Sequence, residues 1–84
     1  MWRESAFAFD NGCRLLGESN ERLGELLAFC GDHADAVTGE TIRLWRLGRR
    51  DAPFWAYRGL WVSLRANGHT AGELFGLLGF SFRE

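Results

Sequence analysis

Residues 52–66, Ala-Pro-Phe-Trp-Ala-Tyr-Arg-Gly-Leu-Trp-Val-Ser-Leu-Arg-Ala, set the strongest constraint on the fold. Read at helical period, Phe54, Trp55, Ala56, Tyr57, Leu60, Trp61, Val62 and Leu64 leave almost no polar face. Such a helix either runs through the centre of a core or is shared with a second subunit. Asp51 is the expected cap, Pro53 falls in the first turn, and Asn67-Gly68 is the stop. In a chain of 84 residues, the remaining segments have to supply the covering layer.

Those segments also read as helices. Ser19 or Asn20 caps a helix over about 20–30, with Glu18 and Glu21 near its positive end and Leu23, Leu26, Leu27 and Cys30 as its stripe. Thr38 opens a short helix to Leu47, with Gly48 as its stop. Its core face is Thr41, Ile42 and Trp45. Thr70-Ala71-Gly72-Glu73 matches a capping box, followed by Leu74, Phe75, Leu77 and Leu78 up to Gly79.

Residues 4–16 admit two readings. Ala6, Phe9, Cys13 and Leu16 have helical spacing behind Ser5, whereas Ala-Phe-Ala-Phe before Asp-Asn-Gly reads as a strand entering a turn. The helix is favoured, with Gly12 weakening it by about 1 kcal/mol relative to Ala. Gly31–Val37 is polar and without a stripe, a loop or one extra turn. Phe80-Ser81-Phe82 alternates like a short strand. The expected architecture is one all-α domain, a small bundle of four or five helices containing a helix-turn-helix.

The net charge of −1 conceals a strong asymmetry. Residues 1–40 hold three arginines against eight acids, a balance of −5, while residues 41–65 hold six arginines against Asp51 alone, a balance of +5. A basic segment of this kind matters more for nucleic-acid binding than the total does. All ten basic residues are arginine, the side chain suited to bidentate contact with phosphate and guanine, although a G+C-rich genome gives the same bias.

Helix 20–30, its connection and helix 38–47 make a helix-turn-helix candidate, in which the second helix enters the major groove of double-stranded DNA. Gly39 and Glu40 would lie nearest the bases, with Arg43 one turn on, and Thr38 joins the expected DNA-binding residues as the cap. Glutamate accepts from cytosine N4, and arginine forks onto guanine O6 and N7. Gly39, Arg43, Arg46 and Arg50 share a face at i, i+4, i+7 and i+11. Arg46, Arg49 and Arg50 would sit nearer the phosphates and fix register. The plainer alternative is a solvated arginine face.

Thr41-Ile42-Arg43-Leu44-Trp45-Arg46-Leu47-Gly48-Arg49-Arg50-Asp51-Ala52-Pro53-Phe54-Trp55-Ala56 resembles the core of small phage and prophage helix-turn-helix regulators of the Cro/repressor type. In those proteins a Thr-(Val/Ile)-Arg-x-Trp recognition helix precedes Gly-x-Arg and a Pro-x-Trp helix. Leu16-Gly17-Glu18-Ser19 and Glu21–Leu27 resemble the preceding helix pair, so the likeness spans about residues 15–66. It implies a DNA-binding transcriptional regulator, such as a repressor, usually a homodimer on a pseudo-palindromic operator. By position, Thr38 becomes the recognition-helix cap and Gly39, Glu40 and Arg43 the base readers. Ile42 and Trp45 become core, and Arg46 and Arg50 backbone contacts.

Other chemistries find little in the chain. Cys30-Gly31-Asp32-His33, with Cys13 and His69, has no second paired metal-ligand element, so no metal or cofactor is expected. There is no nucleophile elbow, Walker loop or His-Glu-x-x-His, and no enzyme is expected. No run of 18 apolar residues exists and the first residues do not read as a signal peptide, so a soluble cytoplasmic protein is expected, with no membrane partner. The competing function is a small phage-type inhibitor or adaptor of a host protein, using the acidic first half and the aromatics Trp55, Tyr57, Trp61 and Phe75.

Overall fold

Side-chain caps and left-handed residues punctuate the chain into five α-helices in the computed structural model, which describes residues 2–80. They are α1 (Trp2–Leu16), α2 (Asn20–Cys30), α3 (Gly39–Arg46), α4 (Phe54–Ala66) and α5 (Ala71–Leu78). There is no strand among the described residues. Ser19, Thr38 and Thr70 each accept a hydrogen bond from a first-turn backbone N–H, and Thr70 completes the capping box with Glu73. Phe80 lies outside regular structure, and Ser81 and Phe82 of the expected strand fall outside the described residues.

The first segment is helical because its core positions recur every three to four residues. Phe9 and Cys13 are buried and Ala6 and Leu16 half-buried, while Phe7, which an alternating pattern would pair with Phe9, is 69% exposed. Gly12 has a packing reason: a Cβ there would collide with the side chain of Leu60.

Helix α4 is the centre. Ala56, Leu60, Trp61 and Leu64 are buried with Phe9, Cys13, Leu23, Leu27, Ile42, Trp45, Leu74 and Leu78. Helices α1 and α2 cover it, α3 packs on both of them, and α5 packs on α1. Most of the apolar circumference of α4 is thus covered within one chain, with Phe54 and Val62 left exposed.

The start of α4 differs from the expectation. Asp51 does not cap it: the helix begins at Phe54, Pro53 is the N-cap in extended backbone (φ −73°, ψ 165°), and no side-chain cap bond forms. A residue before proline is driven out of the helical region, so Ala52 cannot be helical and the helix has to wait for Pro53.

Gly31–Thr38 is a loop, closed onto α2 by backbone bonds from Asp32 N to Phe29 O and His33 N to Ala28 O. Asp32 takes the left-handed conformation (φ 60°) at that stop. Further along, Val37 N donates to Gly24 O, pinning the loop back on α2 just before α3 begins.

Candidate nucleic-acid interface

Helix α3 is set by its cap and its two anchors. Thr38 Oγ1 accepts from Thr41 N at 3.2 Å and lies 3.0 Å from Thr41 Oγ1. Ile42 and Trp45 are buried, Trp45 meeting Phe9 edge-on at 6.0 Å and Trp55 at 5.7 Å. The helix stops at Leu47, with Gly48 left-handed (φ 76°) and Arg49 N donating to Leu44 O. That stop turns the chain so that Arg49 and Arg50 follow α3 directly.

Opposite the anchors, Glu40, Arg43 and Leu47 form an exposed ridge flanked by half-buried Leu44. Arg43 binds Glu40 through two parallel bonds, Nε to Oε1 at 2.9 Å and Nη2 to Oε2 at 2.7 Å. The hydrogen bond from Arg43 holds the Glu40 carboxyl below the usual carboxylate range, and the same bond pushes the Arg43 guanidinium up. Glu40 also sits in the first turn, where the helix dipole favours negative charge.

The expected site residues divide into three groups. Glu40, Arg43, Arg49 and Arg50 are exposed, and among the described residues no ion pair or side-chain hydrogen bond engages Arg49 or Arg50. These two, with Gly48 and Asp51, line a shallow concavity beside the end of α3. Gly39 and Arg46 are turned toward the body of the protein instead. Gly39 is buried, and a Cβ there would collide with the Glu21 carboxylate. Arg46 donates from Nε to Asp10 Oδ1 at 2.6 Å and from Nη1 to Asn20 Oδ1 at 2.8 Å, joining α3 to α1 and to the start of α2. Thr38 serves as cap.

The shared face of Gly39, Arg43, Arg46 and Arg50 therefore lies across the boundary between solvent and core, not at the centre of the exposed side. Leu47, 56% exposed, was missed by sequence reasoning. Its signal was the i, i+3, i+7 spacing from Glu40 and Arg43. An exposed leucine on that ridge offers the apolar contact that a thymine methyl takes.

The aromatics expected at a protein-binding surface are mostly internal. Trp61 is buried, and Trp55 and Tyr57 are half-buried in ring contacts, including a stack of His33 on Trp55 at 4.0 Å. Phe75 is exposed, as are Phe29 at 84% and Phe54 at 72%. Among the described residues no cluster of three or more His, Cys, Asp or Glu is placed to hold a metal ion, and no helix is long and apolar enough to cross a membrane. No protein-family profile, curated protein or solved structure matches the chain.

Proposed function

We propose that this protein is a sequence-specific DNA-binding transcriptional regulator of phage type, presenting α3 to the major groove as a homodimer. The observation that carries the reading is the exposed Glu40–Arg43–Leu47 ridge on a capped helix, followed at once by the unpaired cations Arg49 and Arg50. Base-contacting groups on the ridge and phosphate-contacting groups at its end are the division of labour that groove reading needs. The intervening loop of eight residues is longer than a tight turn, yet it is held on α2 through Val37 and leaves the outer side of α3 open.

The test is a mobility-shift titration with duplex DNA flanking the gene, at two salt concentrations. Retardation that weakens steeply with salt supports the reading, because phosphate binding is driven by counterion release. No retardation at low salt overturns it. Arg49→Ala and Arg50→Ala should weaken all duplexes alike and reduce the salt slope by about 1 each. Sedimentation tests the dimer, which a monomer at high concentration contradicts.

A second reading, a protein-binding adaptor, draws on Phe29 and Phe54, whose exposure is large for rings of that size. Substituting both with serine should leave DNA retardation intact if the regulator reading holds.

A further inference from the structure

The Glu40–Arg43 pair has a specific geometry. Arg43 meets the carboxylate side-on, through Nε and one N–H of Nη2. A guanidinium carries five N–H donors, so three remain: both on Nη1 and the outer one on Nη2. Two of those three, one on Nη1 and the outer one on Nη2, lie side by side on the end edge of the fork, and the other Nη1–H points back toward Cδ. The pair formed by one Nη1–H and the outer Nη2–H matches guanine O6 and N7. Glu40 therefore occupies the edge of Arg43 that guanine does not need, and leaves free the edge that it does.

We propose that Glu40 and Arg43 read DNA as one unit: Arg43 selects guanine with its end edge, and Glu40 is the positioning residue that holds the guanidinium plane for it. This rests on the DNA-binding reading above. A free arginine side chain samples many rotamers and can settle on phosphate as readily as on a base. Tied to a carboxylate three residues back, its plane is fixed relative to the helix axis before contact, and less freedom is lost on binding. The carboxylate also turns negative charge toward the groove, so misplaced contacts are repelled. The unit thus trades non-specific affinity for discrimination.

Selection from a pool of randomised duplexes gives the preferred site. Wild-type protein should then distinguish it from a duplex with the selected G·C pair replaced by A·T by about tenfold or more. Glu40→Gln keeps the shape but removes the charge and one of the two acceptors. It should bring that ratio to within about threefold, with equal or tighter binding to random duplex and an unchanged circular dichroism spectrum. Arg43→Lys keeps the charge but not the fork, and should lose discrimination while keeping the salt slope within about one unit of wild type. If Glu40→Gln binds every duplex more tightly by the same factor and keeps the ratio, Glu40 is only a repulsive charge and the proposal falls. It falls also if Arg43→Lys keeps the ratio. A wild-type protein that selects no duplex removes the DNA reading itself.

Discussion

Asp32 holds a left-handed backbone that L side chains rarely adopt, while its neighbour Gly31 keeps an ordinary one (φ −89°). The division follows from contact. A Cβ at residue 31 would collide with the Trp55 carbonyl oxygen, so the glycine is needed for close approach and the aspartate takes the turn. Asp32→Gly should relieve that strain and raise stability by about 0.5–1 kcal/mol in urea unfolding, with no loss of fold.

Cys13 is the second residue with a measurable signature. Burial pushes its thiol from 9.0 to about 12, partly opposed by the charge of Arg46 and raised further by Asp10. The folded protein keeps the proton where the unfolded chain gives it up. Its contribution is full below pH 9.0 and is lost as pH rises through the window up to about 12. A pH series of unfolding should show this alkaline loss in wild type and a flatter profile in Cys13→Ala.

At the scale of elements, the helices pack through glycine. A Cβ at Gly59 would run into the carbonyl oxygen of Leu27, and one at Gly24 into that of Val37. Backbone cannot yield as a side chain can. Gly59→Ala should therefore destabilise by about 2 kcal/mol despite alanine's better helix propensity. Gly76 in α5 has open space around it, so Gly76→Ala should stabilise by about 0.5–1 kcal/mol. Thermal or urea unfolding of both variants checks the opposite signs.

Helix ends were legible where one local rule acts alone. Ser19, Thr38 and Thr70 cap as their side chains dictate, and Gly48 and Gly79 stop their helices. At the start of α4 two rules competed, and the exclusion of helix before Pro53 overrode the capping tendency of Asp51. The site was legible as a helix but not as a surface. Angular position put Arg46 beside Arg43, yet whether that flank meets solvent depends on Asp10 and Asn20, which are distant in sequence. The Glu40–Arg43 bond was also not expected from the sequence, where the two residues read as separate base contacts, although their i, i+3 spacing permits it.

At the scale of the molecule, the acidic first half and the basic segment after it are partly a matched pair. Asp10 binds Arg46, and the Glu21 carboxylate lies over the first turn of α3, where the helix dipole is positive. Some of the negative charge is thus matched inside the fold. The molecule measures 30 × 25 × 21 Å.

The substantial helix contacts all join α1 or α2 to α3, α4 or α5. The loop at 31–38 is thus the single covalent tie between two interlocking pieces, neither of which has a core of its own. Cut there, the chain should show fragment complementation. Peptides 1–34 and 35–84, each unstructured alone, should regain helical circular dichroism when mixed in equal amounts. A helical signal from either peptide alone, or no gain on mixing, contradicts this. The same connectivity opens a route to exchange: if the loop straightens, the first two helices of one molecule can dock on the last three of another, forming a swapped dimer without any new interface.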